Sequence, residues 1–178
     1  ARDLRVEKSG IKGVRTGSPY AVSPGLVSTP SDATPYKVYT PFYRAWLAHG
    51  WREPAKKPKD IKCVKPGKDD RNFPEWSAPE GFVIPPAGEA AALKRWNEFK
   101  KSALNSYDEQ RNFAAIDGTS KLSHHLKFGE IHPRTLLADL NKTIAHTVYE
   151  KEIAWREFYA DVLFHNPHTD KDYYNEKF

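Results

Sequence analysis

Apolar positions in the second half of the chain recur at helical spacing. Residues 89–107 carry apolar side chains three or four positions apart, and so do residues 133–145 and 147–164. Such a stripe is typical of a helix that packs one face against a core. The segment 41–49 begins at a proline and ends before Gly50, which predicts a shorter helix there. The pattern therefore predicts a mainly α-helical fold.

Proline interrupts the pattern in the first half of the chain. Most of the 14 prolines lie between Pro19 and Pro86, and over residues 52–87 they are too frequent for a helix interior. A loop of this length is unusual inside one compact domain. We therefore interpret this stretch as an interdomain connector that lies over a surface or is partly ordered by Phe73 and Trp76.

One segment before the connector has the character of a strand. Residues 14–22 predict a strand and its exit turn, but the chain offers this strand no partner. Unpaired strand backbone needs other hydrogen-bond partners. Either further strands are missing or this part of the chain does not fold independently.

The charge is distributed unevenly along the chain. The formal net charge is +5, and the basic surplus lies in residues 1–68, whereas residues 69–178 carry a net negative charge. A surplus of this size permits a nucleic-acid partner without arguing strongly for one. Because the surplus falls in a proline-rich stretch, we favour a solvated linker as its explanation.

Composition excludes several classes of protein. No apolar run approaches the ~20 residues that a membrane-spanning helix needs. The single cysteine, Cys63, excludes an internal disulfide framework and a multi-cysteine zinc site. A reducing, cytoplasmic setting is the resulting expectation.

The first chemically informative feature is a loop of small and hydroxyl residues at 117–123. Its sequence is Asp-Gly-Thr-Ser-Lys-Leu-Ser, and Ser123 is predicted to cap a short helix that ends at Gly129. Hydroxyls and free backbone N–H groups in such a loop favour a phosphate group. A simple turn with a capping serine has the same pattern, so both interpretations stand on the pattern alone.

The second feature is a mixed polar and aromatic face on the last predicted helix. Four side chains at positions i, i+3, i+4 and i+7 share this face: Glu152, Trp155, Arg156 and Tyr159. A carboxylate, an indole and a guanidinium together suit a cavity in which a flat aromatic ligand stacks. The alternative is a core tryptophan beside a surface ion pair.

Three histidines, His124, His125 and His132, fall within nine residues of one another. Because no cysteine is near them, we assign no metal ion to this cluster. No residue of the chain is assigned a catalytic role.

Five segments of the chain form a set of motifs in a fixed order: Pro35–Trp46, Tyr107–Asn112, Gly118–Ser123, Leu126–Ile131 and Trp155–Tyr159. Together they resemble the motifs of the DNA photolyase and cryptochrome family, and those of class I cyclobutane pyrimidine dimer photolyases in particular. The resemblance runs in family order over about residues 11–167.

This resemblance implies a fold and a domain division. Residues 1–50 would be the C-terminal remnant of the family's α/β domain, residues 51–87 the connector, and residues 88–178 the first part of the helical FAD-binding domain. The chain would then be an internal fragment of a longer protein, inactive by itself. The longer protein would be a monomeric lyase that repairs pyrimidine dimers in DNA with light and reduced FAD.

The resemblance also implies residue roles. The residues that would contact FAD are Tyr107, Thr119, Ser120, Lys121, Leu122, Ser123 and Arg156. The residues that would contact damaged DNA are Arg111, Glu152, Trp155 and Tyr159, with Trp155 stacking on the flipped-out dimer. The antenna chromophore, a folate or a deazaflavin, is not assigned, because its contacts come mostly from the missing N-terminal part.

Some residues depart from the family pattern, and the function has alternatives. Lys121 stands where the family usually has arginine, His124 where proline is common, and His132 where a capping serine is common. A cryptochrome-type flavoprotein sensor and a 6-4 photoproduct lyase are the alternative functions. A helical fragment that binds no flavin by itself is compatible with either.

Overall fold

The computed structural model describes residues 5, 8–10, 17–60, 62, 77–175 and 177. The described chain is helical, as predicted, and no strand occurs in those ranges. Its α-helices are α1 (Tyr39–His49), α2 (Glu89–Ser102), α3 (Tyr107–Gln110), α4 (Ser123–Phe128), α5 (Pro133–Ala138) and α6 (Ile144–His165), with 3₁₀ turns at Leu104–Ser106 and Pro167–Asp170. Cys63, Phe73 and Trp76 lie outside the described residues.

The chain divides into two compact units. Unit 1 comprises Ala1–Trp51 and Ala154–Phe178, and unit 2 comprises Arg52–Ile153. The division falls within α6. The boundaries predicted at residues 50/51 and 87/88 stay predictions.

The core of unit 2 is a cluster of aromatic rings. Trp96 and Phe99 of α2 pack on Tyr149 at ring-centroid distances of 5.5 and 5.3 Å. The Trp96 indole N–H, which needs a partner when it is buried, donates to Asp139 Oδ2 at 2.7 Å. Lys100 Nζ lies 2.5 Å from the same oxygen. The apolar stripe predicted for this helix therefore forms the core.

Two helices end earlier than the pattern predicts. The stripe predicted over residues 89–107 stays largely buried, but α2 ends at Ser102, whose hydroxyl donates to the carbonyl of Glu98 at 2.9 Å. A side chain that bonds to the backbone in this way competes with regular helix hydrogen bonding. The chain continues as a 3₁₀ turn and then as α3.

The helix predicted over residues 133–145 is likewise interrupted after Ala138. Asn141 Oδ1 accepts the Thr143 N–H at 3.0 Å, and the Asn141 N–H donates to His146 Nδ1 at 2.9 Å. These local bonds satisfy the backbone outside a helix, so a new helix begins at Ile144. The helix predicted over 147–164 therefore starts three residues earlier than expected.

Unit 1 is built on α1 and the second half of α6. Phe42 and Trp46 of α1 are fully buried, and Phe42 packs on Phe158 at 5.2 Å. Gly50 ends α1 with φ 65°, the left-handed backbone that favours glycine. This helix is the one that the sequence predicted over residues 41–49, extended by two residues at its start.

The strand predicted over residues 14–22 does not form in its described part, residues 17–22. The backbone N–H groups of Ala21 and Val22 donate instead to the carboxylate of Glu157 on α6. Because a side chain takes the place of a neighbouring strand, this backbone is satisfied without a sheet. Residues 14–16 lie outside the described residues.

Candidate functional site

The hydroxyl loop, residues 117–123, is held from one side by α2. Arg95 Nε donates to the carbonyl of Ser120 at 2.9 Å, and Arg95 Nη2 donates to the carbonyl of Thr119 at 2.8 Å. Gly118 packs so tightly that an added Cβ would lie 2.7 Å from Gln110 Cβ. The position of this loop is therefore fixed by its contacts within unit 2.

The loop leaves several polar groups accessible. Thr119, Lys121 and Ser123 are exposed, whereas Leu122 is fully buried and anchors the loop. Lys121 has φ 53°, an unusual backbone conformation for a residue other than glycine. Its ammonium group pairs with Asp117 at 2.8 Å. Strained backbone in a loop with accessible donors is a pointer to a functional position.

A cavity of about 750 Å³ adjoins this loop within unit 2. Its walls carry the basic side chains of Lys94, Arg95 and Lys121, the hydroxyls of Thr119 and Ser123, and one carboxylate, Glu98. Such a lining favours an anionic ligand with hydrogen-bond acceptors. The predicted cofactor residue Ser120 is half-buried.

The predicted capping role of Ser123 is not observed. Ser123 is the first residue of α4, and the capping position is taken by Leu122, which makes no side-chain cap. The helix does end at Gly129, in left-handed conformation, as predicted. The Ser123 hydroxyl is therefore not used by its own helix as a cap.

Tyr107, Arg111 and Glu152 form one cluster in unit 2. The Tyr107 ring is buried and meets Tyr149 edge-on at 5.1 Å, and the Arg111 guanidinium lies 5.5 Å from its centroid. Arg111 Nη1 donates to Glu152 Oε1 at 2.5 Å. Burial, with the nearby Glu152 carboxylate, raises the pKa of the Tyr107 hydroxyl, so this hydroxyl stays protonated and can donate a hydrogen bond.

Trp155, Arg156 and Tyr159 lie in unit 1. The Trp155 indole stacks on Tyr39 and lies 5.6 Å from the Tyr159 ring, which is 64% exposed. Arg156 Nη1 donates to the carbonyl of Pro19 at 3.2 Å, and its guanidinium stacks over Tyr20. The roles predicted for these side chains toward cofactor and DNA stay predictions.

Sequence reasoning missed the carboxylate of Glu157, which accepts three hydrogen bonds from described residues of unit 1. Besides the two backbone N–H groups, it accepts the Trp46 indole N–H at 2.6 Å, and it is only 2% exposed. Burial raises its pKa, although the three N–H donors oppose the shift. A signal existed in the sequence, since Glu157 follows the buried Ile153 by four positions and so lies on the apolar face of α6.

The three clustered histidines, His124, His125 and His132, contact neighbouring groups of the protein. His125 Nδ1 lies 2.5 Å from Glu130 Oε2, and the His124 ring packs on the His125 ring at 3.9 Å. His132 Nδ1 accepts the Arg134 N–H at 3.2 Å and so caps α5. Among the described residues, no group of three or more His, Cys, Asp or Glu side chains could hold a metal ion.

Comparison with known proteins gives consistent matches. The chain is 35% identical over 173 residues to the deoxyribodipyrimidine photo-lyase of Agrobacterium fabrum, covering 87% of this chain and 35% of that protein. It is 33% identical to the Escherichia coli deoxyribodipyrimidine photo-lyase, covering 94% of this chain and 38% of that protein. No protein-family model matches the chain.

A solved structure shares the fold. The crystal structure of a bacterial class III photolyase from Agrobacterium tumefaciens matches with a TM-score of 0.72 and 29% identity, over 99% of this chain and 39% of that one. The described residues therefore have the fold of part of a photolyase. The chain belongs to the DNA photolyase family, and it spans about a third of the length of the curated relatives it matches.

In the part of the chain that the structure describes, no helix combines the length and the apolar character that crossing a bilayer requires.

Proposed function

We propose that these 178 residues are part of a photolyase that repairs cyclobutane pyrimidine dimers in DNA with light and FAD. The observation that supports this most is the hydroxyl loop, residues 117–123. It has exposed hydroxyls next to Lys121, whose backbone is in the left-handed conformation. Arg95 holds the loop in place by donating hydrogen bonds to two of its carbonyls. These donors fit a phosphate-bearing cofactor.

The chain's own residues would bind and orient the cofactor. The hydroxyls of Thr119, Ser120 and Ser123 would hold its diphosphate, with the charge of Lys121 and the backbone around Leu122. Tyr107 and Arg156 would contact the cofactor as well. Reduced FAD, when bound, would supply one electron to the dimer under blue light and recover it after the ring splits.

A second group of residues would bind the lesion. The Trp155 indole would stack on the flipped-out dimer, with the exposed Tyr159 ring beside it. Glu152 would accept hydrogen bonds from base N–H groups, and Arg111 would contact a phosphate. Because Arg111 and Glu152 are ion-paired in the free chain, binding would exchange this pair for contacts with DNA.

The proposal extends to the setting of the longer protein. We expect it to act as a monomer in the cytoplasm, and the present 178 residues to be inactive alone. A cofactor of this size needs most of its surface buried for tight binding. Because the chain spans only about a third of the length of its relatives, it would cover only part of this surface. The isolated chain should therefore purify colourless, and a stoichiometric flavin absorption band in it would contradict this expectation.

A binding titration in the full-length protein that carries these residues tests the lesion site. Trp155→Ala should weaken binding to a duplex with one pyrimidine dimer by roughly ten- to a hundredfold, because base stacking on an aromatic ring is lost. Binding to the same undamaged duplex should change little, and the flavin content should be unaffected.

Arg111→Ala is the matched control for this experiment. It should weaken binding to both duplexes by similar factors and reduce the salt dependence, because a phosphate contact carries no information on the lesion. If Trp155→Ala weakens binding to both duplexes equally, or removes the flavin, Trp155 is a core residue and the lesion-site assignment is wrong. A wild-type protein that binds flavin but does not distinguish the duplexes would favour a sensor.

A further inference from the structure

Among the described residues of unit 1, the closest ring contact joins Tyr39, the first residue of α1, to Trp155 on α6. The ring centroids are 3.6 Å apart and the planes differ by 7°. The two rings therefore lie face to face at van der Waals contact, and one face of the indole is covered by tyrosine. Trp155 is only half-buried, so part of the indole stays accessible.

Tyr39 is itself held by further rings. Tyr43, one helical turn along α1, lies nearly parallel to it at 5.8 Å, and the edge of Phe158 meets it at 5.9 Å and 73°. Tyr43 in turn stacks near Trp46, which is fully buried. The plane of the Trp155 indole is thus tied through Tyr39 to the buried core of unit 1.

We propose that Tyr39 is a positioning residue for lesion binding, because its ring holds the Trp155 indole in the plane in which a flipped-out base stacks on it. This inference rests on the proposed function. A side chain that is already held in its binding orientation loses less conformational freedom when the ligand arrives, and this raises affinity. Tyr39 would thereby increase the preference for damaged over undamaged DNA without touching the lesion.

If Tyr39 had a merely structural role, its replacement would be expected to give different results. If Tyr39 only stabilised unit 1, its replacement would lower the melting temperature. It would also weaken binding to damaged and to undamaged DNA to the same extent. A positioning residue acts only where Trp155 stacks, so its loss should appear with damaged DNA alone. The flat ring matters for this role and the hydroxyl does not, so phenylalanine should restore it.

The experiment compares variants of the full-length protein on a duplex with one cyclobutane thymine dimer and on the same duplex undamaged. Tyr39→Leu should weaken binding to the damaged duplex about three- to tenfold, the range expected when one further side chain must be immobilised on binding. Tyr39→Phe should bind like wild type. Tyr36→Leu is the matched control, since Tyr36 is also half-buried but contacts the Phe42 ring edge-on at 6.4 Å.

The possible outcomes separate this inference from the proposed function. Two results would overturn this inference alone. The first is that Tyr39→Leu weakens binding to both duplexes equally. The second is that Tyr39→Leu binds both duplexes like wild type, while Trp155→Ala loses the preference for the damaged duplex. A wild-type protein without any preference for the damaged duplex overturns the proposed function and this inference with it. Should Tyr39→Leu fail to fold, Tyr39→His keeps a smaller flat ring, and an intermediate loss on damaged DNA alone is expected.

Discussion

Arg111 and Glu152, which lie 41 positions apart, form an ion pair in which the guanidinium Nη1 and the carboxylate Oε1 are 2.5 Å apart. Both residues were predicted to contact damaged DNA, Arg111 at the backbone and Glu152 at a base. The pair shows that the end of α3, which Arg111 directly follows, and the first half of α6 bring these two side chains into contact within unit 2. It also satisfies both charges in the absence of DNA.

The energy of this pair can be measured with a double-mutant cycle of Arg111→Ala and Glu152→Gln. About a third of each side chain is exposed, 32% and 38%, so we expect a coupling energy of about 0.2–1 kcal/mol that decreases with added salt. Urea unfolding of the four proteins provides the measurement. The more exposed pair of Lys121 and Asp117 is the control and should couple more weakly. A coupling that is independent of salt would contradict the assignment as a partly exposed ion pair.

Glu157 should give the stability of the chain a measurable pH dependence. Because burial raises its pKa in the folded state above the usual value near 4.5, the folded chain binds this proton more tightly than the unfolded chain does. Its contribution to stability is therefore present below pH 4.5 and is lost as the pH rises through the raised value. The difference in unfolding free energy between wild type and Glu157→Gln should decrease over that range.

At neutral pH, Glu157→Gln should still destabilise the chain, by about 1–3 kcal/mol. An amide has one acceptor oxygen, so at least one of the three N–H donors from Ala21, Val22 and Trp46 loses its partner. Glu98→Gln, at an exposed position, is the control and should change stability by less than about 0.5 kcal/mol. A neutral effect of Glu157→Gln would show that the carboxylate is not needed by these donors.

Gly118 should be essential for the position of the hydroxyl loop. The Cβ of Gly118→Ala would lie 2.7 Å from Gln110 Cβ and 3.0 Å from its backbone carbonyl, which cannot move away as a flexible side chain could. Overpacking of this kind costs about 1–3 kcal/mol, which thermal or urea unfolding would detect. Thr119→Ala removes a neighbouring hydroxyl without crowding and should leave stability nearly unchanged. Equal stability of the two variants would contradict the close packing.

Exposed apolar side chains should make the isolated chain self-associate. Phe128 and Ile144 are each 76% exposed, and Phe164 is 60% exposed. Apolar surface of this kind promotes association. We expect sedimentation velocity to show oligomers that increase with concentration, and thermal unfolding to be broad. Ile144→Lys should reduce association, whereas Lys142→Gln should not. A clean monomer with a sharp thermal transition would be the opposite result.

The spacing of apolar residues was enough to predict the longer helical segments of the second half of the chain, but not where each helix ends. The apolar side chains of α2, among them Trp96 and Phe99, are buried as predicted. The same periodicity that identifies a helix also identifies its buried face. The ends depended on Ser102 and Asn141, whose side chains bond to nearby backbone. These bonds compete with the helix by small energies that periodicity does not reveal.

Local sequence also identified the hydroxyl loop. The residue types of Gly118, Thr119 and Ser120 indicate a turn with hydroxyl donors, and this can be recognised without knowing any tertiary contact. Only the tertiary structure determined which groups meet across long separations. Glu157 satisfies backbone over 130 positions away and replaces the strand that the sequence predicted, and Tyr39 covers Trp155. Such contacts depend on how the elements pack, because a carboxylate or a ring has the same local pattern whether it faces solvent, a backbone N–H or another ring.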